Sequence, residues 1–241
     1  MSLPPLRLRV DGLACERGGR AVFAGVSFTA AAGDLVAVVG RNGAGKSSLL
    51  RVVAGLVPKT GGSVTVEGAQ AAEGTPPGEH MHYCGHSDAL KPALTARENL
   101  AFWRDYYGGS APSRISGTVP EIAASFQESS SDSRTGAVFP PANPCLEPDD
   151  ALDLFGIEHL ADLPAAYLSA GQKRRLALCR LLVSRRPVWL LDEPTSALDA
   201  ATQARLAGLM REHLEGGGLI LAATHGDLGL APNLVLTIGA P

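Results

Sequence analysis

The sequence has 241 residues, 45% of them hydrophobic, and a formal net charge of −3. That length and composition are sufficient for one large domain, or two small ones, with a real hydrophobic core. The slightly acidic charge balance argues against a general nucleic-acid binder. The four cysteines lie far apart without a C-x-x-C pair, which is typical of a reducing compartment and indicates no disulfide framework.

Nothing in the sequence predicts a membrane-spanning or secreted chain. No apolar run approaches the roughly 18 residues that a membrane-spanning helix requires. The N-terminal residues 1–5 are not followed by the apolar segment of a signal peptide. We therefore expect the protein to remain in the cytoplasm and to reach a membrane only through a partner.

The first third of the sequence is rich in predicted strands. Residues 6–12 alternate apolar and polar side chains, as a strand with one wet face does, and residues 22–28 form a second strand. Residues 35–39 are a short, β-branched apolar run that is typical of a buried strand. A further turn and strand follow at residues 61–68, so this region has more strands than a minimal βαβ unit needs.

A phosphate-binding loop follows the buried strand. The sequence matches the pattern G-x-x-x-x-G-K-[ST], and the helical pattern after it ends at Gly55. Glycines allow backbone N–H groups to converge on a triphosphate, and the helix N-terminus adds its dipole. We expect Lys46 to reach the β- and γ-phosphates and the Ser47 hydroxyl to hold Mg²⁺. The predicted nucleotide-binding residues of this loop are Gly40, Arg41, Asn42, Gly43, Ala44, Gly45, Lys46, Ser47 and Ser48.

An alternating run of metal-ligating residue types comes next. His80, His82, Cys84 and His86 recur with a period of two, so a strand would put all four on one face. This pattern could describe a metal site. Side chains at i and i+2 point the same way without converging, so an ordinary sheet strand is the favoured interpretation.

The middle of the chain combines a helix with a segment of different composition. Thr95 and Glu98 predict a capping box that opens a helix through about residue 107. Residues 108–148 are rich in Gly, Ser and Pro, a composition that cannot bury enough apolar surface to offset its ordering entropy. We expect a mostly disordered insertion there, followed by a short helix over residues 149–156.

Two predicted strands of the second half end in polar residues. Residues 188–191 lead directly into Asp192 and Glu193, and residues 219–225 end in a histidine. Ligands bind at the carboxyl ends of strands in open α/β sheets. We expect Asp192 to anchor Mg²⁺, usually through water, and Glu193 to orient or deprotonate the attacking water. Such an acidic pair could also cap a helix, although the phosphate loop upstream favours the functional interpretation.

The remaining patterns complete the predicted elements. A helical pattern follows residues 168–175, and a second helix spans about residues 200–214. Residues 234–238 predict an edge strand near the end of the chain.

Four further motifs resemble those of ABC-transporter ATPase subunits, in the same order as in that family. They are the signature at residues 168–172, the Walker B segment at 190–195, the D-loop at 196–199 and the switch histidine after Thr224. With the phosphate loop, the resemblance covers nearly the whole chain except residues 108–148. It implies an α/β fold, that of a P-loop NTPase of the ABC ATPase class, with ATP and Mg²⁺ as cofactors.

The resemblance also implies a domain organisation. Residues 1–241 would form a single ABC ATPase domain that contains an antiparallel β-subdomain. A helical subdomain would be inserted at about residues 88–174, and it would contain the predicted insertion 108–148.

Several site residues follow from the resemblance alone. Two such subunits would bind ATP head to tail as a homodimer, and Ser169 and the Gly171 N–H would contact the γ-phosphate held by the partner subunit. Gln172 belongs to the same nucleotide-binding motif, and the helix after Gly171 would aim its positive end at that phosphate. Asp199 would couple the two sites, and His225 would contact the γ-phosphate and help to hold the attacking water.

His86 departs from the family pattern, which normally has Gln here, in a loop that links Mg²⁺ to the transmembrane partner. Residues 83–86, residues 94–100 and the Leu-Ser-Ala-Gly-Gln signature resemble one branch, the ATP-binding subunits of heme export in cytochrome c maturation. A neutral imidazole can replace the amide as a ligand or water-orienting group, whereas an imidazolium next to Mg²⁺ would be repelled. His86 is therefore a candidate catalytic residue, as Glu193 and His225 are. It is also a candidate metal ligand, as Ser47 and Asp192 are.

A second departure concerns the adenine base. The family often stacks this base on an aromatic side chain near the first strand, but residues 15–20 contain none. Arg17 could stack its guanidinium on the ring, or it could equally be a solvated turn residue.

The resemblance implies partners as well as chemistry. They are integral membrane permease subunits at the cytoplasmic face of the inner membrane, with heme-handling proteins as further candidates and no nucleic acid. A subunit for another cargo is one alternative. A soluble ABC ATPase acting on ribosomes or DNA is another, but that class usually has two ATPase domains or long coiled coils, which this sequence lacks.

Overall fold

The computed structural model describes residues 5–68, 75–107 and 145–239. The chain divides into two compact units. Among the described residues, the first unit contains 5–68, 75–87 and 186–239, and the second contains 88–107 and 145–185. None of the helices in this described part has both the length and the hydropathy needed to cross a membrane.

A five-stranded parallel sheet forms the centre of the first unit, in the order β5-β6-β7-β3-β8. Its central strands are short, continuous apolar runs that are buried on both faces, as parallel strands covered by other elements are. The predicted edge strand is confirmed, since β8 pairs with β3 alone. The five strands are β3 (Leu35–Val39), β5 (Met81–Cys84), β6 (Val188–Asp192), β7 (Leu219–Ala223) and β8 (Leu234–Thr237).

An antiparallel sheet accounts for the strand-rich start of the chain. Its order is β2-β1-β4, with β1 (Arg7–Arg17), β2 (Arg20–Ala31) and β4 (Gly61–Glu67). The first two strands are longer than predicted because they meet in a tight hairpin at Gly18-Gly19. These two glycines have φ of 56° and 73°, values that suit the two-residue hairpin turn.

The core of the first unit lies between the two sheets, around helix α1 (Lys46–Val53). Apolar side chains of α1, including Leu49 and Leu50, pack with Leu8 and Leu13 of the antiparallel sheet and Leu190 of the parallel sheet. Helix α5 (Ala200–Glu215) precedes β7 and also belongs to this unit. Packing on two sheets fixes the start of α1 and therefore the phosphate loop before it.

The second unit is helical. It contains α2 (Ala96–Tyr106), α3 (Pro148–Leu154) and α4 (Ala170–Val183). The predicted capping box at Thr95 and Glu98 is confirmed, with both reciprocal hydrogen bonds present. The apolar faces of the three helices form a core from Leu100, Leu152, Phe155, Leu176 and Leu178.

The predicted insertion falls mostly outside the described residues, which resume at Cys145. Of the 108–148 segment, residues 145–148 are described as part of the second unit. The Leu146 N–H donates to the Leu182 carbonyl at 2.9 Å, and Pro148 is the first residue of α3. The helix therefore starts one residue earlier than predicted, because proline is well suited to the first helical position.

The alternating His and Cys residues of 80–86 do not share one strand face. Strand β5 contains His82 and Cys84, whereas His80 ends a 3₁₀ turn and His86 lies beyond the strand. Within the described residues, no group of three or more His, Cys, Asp or Glu side chains has an arrangement that could hold a metal ion. The sheet strand is the interpretation that this geometry favours.

Candidate active site

The loop between β3 and α1 depends on glycine at its two ends. Gly40 has φ of 150°, and a Cβ placed there would collide with the Ile238 carbonyl oxygen. Gly45 has φ of 102°, and its Cβ would lie 2.7 Å from the Val22 Cγ1. Other residues cannot take these positions without displacing the Ile238 backbone or the Val22 side chain, so these two glycines are required by the local packing.

Lys46 is the first residue of α1, and its side chain is folded back over the loop. Its Nζ donates to the carbonyl oxygens of Gly40, at 2.9 Å, and Arg41, at 3.2 Å. The third partner is His225, whose Nε2 lies 2.7 Å from Nζ. Because a lysine ammonium can only donate, the imidazole accepts through Nε2 in this arrangement. The three donors of the buried ammonium group thus have partners.

Ser47 and Asp192 meet where α1 begins and β6 ends. The Ser47 hydroxyl donates to the Asp192 Oδ1 at 2.9 Å, although the two residues are 145 positions apart in sequence. Asp192 is the last residue of β6 and is only 2% exposed. The structure therefore brings together Ser47 and Asp192, two of the three predicted metal ligands, with their oxygens in direct contact.

Glu193 follows Asp192 with an unusual backbone conformation. Its φ is 50°, a region that non-glycine residues rarely adopt and that costs of order 1–3 kcal/mol. Its N–H donates to the Ala223 carbonyl at the end of β7, which holds the turn in place. The Oε1 of Glu193 lies 3.7 Å from the His225 Nε2. Glu193, His225 and Lys46 thus form one continuous set of polar side chains next to the phosphate loop.

Tyr83 and Arg51 also belong to this cluster, although neither is among the predicted site residues. The Arg51 Nε donates to the Tyr83 hydroxyl at 3.0 Å, and that hydroxyl lies 3.4 Å from the Asp192 Oδ2. The sequence signals at Tyr83 were its position near the end of a predicted strand and its place in residues 83–86, which carry the resemblance to one branch of the family. Only the strand order shows that β5, the strand that contains Tyr83, lies beside β6.

The electrostatics of this group are consistent with its contacts. The hydrogen bond and the charge interaction with Tyr83 raise the pKa of Arg51. Burial raises the pKa of the Tyr83 phenol, and Arg51 opposes that shift in part. Tyr83 is therefore a neutral donor and Arg51 a cation near neutral pH.

Two predicted site residues stand apart from these contacts. His86 is exposed, and within the described residues it forms no hydrogen bond or ion pair with the Ser47–Asp192 pair. Arg17 is exposed at the end of β1, where it pairs with Arg20 across the hairpin. The structure therefore does not bring either residue into the Lys46–Asp192 cluster.

The signature residues lie in the second unit and form the start of α4. Ser169 is the N-cap: its hydroxyl accepts from the Gln172 N–H, and the Gln172 Oε1 accepts from the Ser169 N–H. Helix α4 begins at Ala170, so Gly171 lies inside the first turn and not before the helix as expected. Asp199, in the first unit, likewise caps α5 by accepting from the Thr202 N–H at 2.8 Å.

Known proteins share both the sequence and the fold of this chain. The profile of the family described as ABC transporter matches residues 23–196. The cytochrome c biogenesis ATP-binding export protein CcmA of Nitrobacter winogradskyi is 50% identical over 226 residues, which is 94% of this chain and 95% of that protein. CcmA of Rhodopseudomonas palustris strain HaA2 is 48% identical over 225 residues, covering 93% of this chain and 94% of the relative.

Solved structures share the fold of this chain at lower sequence identity. An ATP-binding subunit of an ABC transporter is 25% identical, with a TM-score of 0.68, and the match covers 90% of this chain and 79% of that one. The ATP-binding cassette MJ0796, solved as a dimer with ADP and Pi, shares the fold with a TM-score of 0.69 at 21% identity, over 96% of this chain and 94% of that one.

The predicted α/β P-loop NTPase fold is therefore confirmed. The profile match covers more than half of the chain, and the curated relatives match nearly all of it. The chain belongs to the ABC transporter family and is an ATP-binding, ATP-hydrolysing transporter subunit; ATPases of this family act as dimers with membrane permease partners.

Proposed function

We propose that this subunit supplies the ATP energy for the export step of cytochrome c biogenesis, with heme as the cargo. The observation that carries this proposal is the 48–50% identity, over more than nine-tenths of the chain, to relatives named as ATP-binding export proteins of that process. The alternative of another cargo shares the same nucleotide site and differs in the permease that the subunit recruits.

The phosphate-binding half of the proposed site is built from the first unit. The loop amides of residues 40–48 would bind the triphosphate, and Lys46 would exchange its carbonyl partners for phosphate oxygens. Ser47 and Asp192 fit Mg²⁺, because both offer hard oxygen donors and their oxygens already lie 2.9 Å apart. When bound, the ion neutralises charge on the phosphates.

The remaining groups would handle the attacking water. Glu193 has a carboxylate that is 28% exposed and held beside the phosphate loop by its strained backbone, which suits a general base. His225 would contact the γ-phosphate after Lys46 turns toward the nucleotide. His86 would orient water or bind the metal, and Arg17 would stack on the base.

The second half of the site would come from the partner subunit in a head-to-tail homodimer. Ser169, Gly171 and Gln172 lie in the first turn of α4 or at its cap, where helix N–H groups favour an anion. Asp199 would transmit the state of one site to the other. The helical second unit would be the helical subdomain, with the permease and heme-handling proteins meeting the dimer at the cytoplasmic face of the inner membrane.

Complementation tests the cargo directly. The wild-type chain and an E193Q variant are expressed in a host that lacks its own copy of this subunit, and c-type cytochromes are measured by heme staining. We expect the wild type to restore heme-stained cytochromes and E193Q to restore almost none. The matched control is E67Q, which makes the same change at an exposed residue of β4.

The partners are tested by capture of the tagged chain with its native membrane proteins. Recovery with transmembrane subunits and heme-handling proteins would support the proposal. An unrelated permease, together with normal heme staining in the E193Q strain, would reject heme as the cargo and leave the ATPase assignment standing.

A further inference from the structure

We propose that Tyr83 is a positioning residue that holds the carboxylate of Asp192 in the orientation needed for Mg²⁺. The proposal rests on the proposed role of Asp192 as a metal anchor. It adds a residue that none of the five sequence motifs contains, located at the end of a neighbouring strand.

The Tyr83 hydroxyl lies between a cation and the carboxylate. Arg51 donates its Nε–H to the phenol oxygen at 3.0 Å, and the same oxygen lies 3.4 Å from the Asp192 Oδ2. Because a guanidinium can only donate, the phenol oxygen accepts from Arg51, and its own proton is directed at the carboxylate. The direction of this chain of hydrogen bonds is therefore determined by its arginine end.

Both oxygens of the Asp192 carboxylate have a hydroxyl donor. Ser47 donates to Oδ1 at 2.9 Å from one side, and Tyr83 donates to Oδ2 from the other. A carboxylate that is 2% exposed requires such donors, since few water molecules can reach it. Two donors on opposite oxygens resist rotation of the carboxylate about its Cβ–Cγ bond.

The backbone leaves room for this tyrosine at one glycine. A Cβ on Gly85 would lie 2.7 Å from both the Cε1 and the hydroxyl oxygen of Tyr83, so the ring packs directly over the Gly85 backbone. In the sheet, Tyr83 pairs with Leu190, two residues before Asp192. This register brings the phenol level with the end of β6.

The protonation state of Tyr83 agrees with a donor role. Burial raises the pKa of its phenol above the ordinary value of 10, so the proton stays on the oxygen throughout the physiological range. The charged groups that act on it are Arg51 and Asp192 themselves.

Metal affinity distinguishes a positioning role of Tyr83 from a general effect of the substitution on folding. Mn²⁺ binding to the complex of the full-length chain with ADP is titrated by electron paramagnetic resonance, and ADP affinity is measured separately in EDTA. Y83F removes only the hydroxyl, and G85A displaces the ring while keeping it. Y106F deletes the hydroxyl of a tyrosine that is 69% exposed in the second unit and serves as the matched control.

We expect Y83F to weaken Mn²⁺ binding about threefold to tenfold, because the substitution removes one long hydrogen bond to the Asp192 carboxylate. G85A should have a similar effect, and the double variant should be no worse than either single one, because both act on the same contact. ADP affinity in EDTA should be unchanged in all three, and Y106F should match the wild type.

Asp192 supplies the comparison that keeps the two proposals apart. If D192N loses Mn²⁺ binding while Y83F and G85A retain wild-type affinity, Asp192 is the metal anchor and the role of Tyr83 is rejected. If D192N binds Mn²⁺ normally, both the anchor and the positioning role are wrong. Equal weakening of ADP binding in EDTA would show a structural defect and would also overturn the proposal.

Discussion

The two units contribute to the proposed ATP site with groups that are held in different ways. In the first unit, Ser47 and Asp192 bond across 145 positions of sequence. In the second unit, Ser169 and Gln172 bond across 3 positions, within one helical turn. The first arrangement exists only when the parallel sheet is assembled, whereas the second forms wherever α4 begins. The proposed metal-binding half is thus a product of the tertiary fold, and the signature half is a local structure that would act on the nucleotide of a partner subunit.

Removal of the proposed base in the first unit should have the largest effect. In E193Q the geometry is kept while the ability to accept a proton is lost, so ATP hydrolysis should fall about a hundredfold or more. Phosphate release from the assembled transporter measures this loss, with ATP binding measured in parallel. E67Q is the control. Hydrolysis by E193Q at the wild-type rate would show that a different residue is the general base.

Substitution of Ser169 should separate its role as the helix cap of α4 from its proposed contact with the γ-phosphate. S169A and T95A each delete the hydroxyl of a capping box in the second unit, so each should destabilise the chain by about 1 kcal/mol. Only S169A should also slow ATP hydrolysis, by about tenfold to a hundredfold, because it loses a hydrogen bond to a charged phosphate.

The two variants are compared by thermal melting and by phosphate release. Equal loss of hydrolysis in S169A and T95A would mean that Ser169 acts only through helix stability. The contrast between a local structure and a functional contact would then disappear.

His86 tests whether the first unit has a further group that acts on the site. If its ring supplies a hydrogen-bonding nitrogen there, H86A should lower ATP turnover severalfold, whereas H86Q should keep most of it because an amide can form the same kind of contact. Phosphate release at one fixed pH is compared with that of the control H159A, which removes a ring that is 61% exposed in the second unit. Wild-type turnover by H86A would reject this role.

The smallest effect concerns stability in the first unit, away from the phosphate loop. Burial, and then the charge of Glu215, raise the pKa of Glu212 from its ordinary value of 4.5 to about 7. The folded chain binds this proton more tightly than the unfolded chain, so the contribution of Glu212 to stability is complete below pH about 4.5 and declines as the pH rises toward 7. Partial solvent exposure limits its size.

The contribution of His213, the next residue, to stability has the opposite dependence on pH. Burial lowers its pKa to about 4, so its contribution to stability is lost as the pH falls from 6.5 toward that value. The Glu212 effect is therefore isolated as a difference between wild type and E212Q. We expect the difference in Tm between E212Q and the wild type to be about 2 °C more in favour of E212Q at pH 8 than at pH 5. A gain that is the same at both pH values, or also present in E67Q, would contradict the assignment.

Local signals in the sequence were sufficient for much of this molecule. The phosphate loop, the Thr95 capping box and the apolar strands β3, β6 and β7 follow from residue spacing, because the pattern that identifies each of them lies within a few consecutive residues. The same spacing misled at the signature, where Gly171 was expected before the helix and lies within its first turn. A capping serine sets the start of a helix more strongly than a glycine does.

The sequence by itself determined the family, the order of the motifs and the residue types that hydrolysis needs. Only the tertiary structure decided which of those residues meet. The sheet order places β5 beside β6, so Tyr83 reaches Asp192, while His86 beyond the same strand is exposed and has no bond to that carboxylate within the described residues. The reason is physical: strand pairing is non-local, and no periodicity in a single sequence records which strand lies beside which.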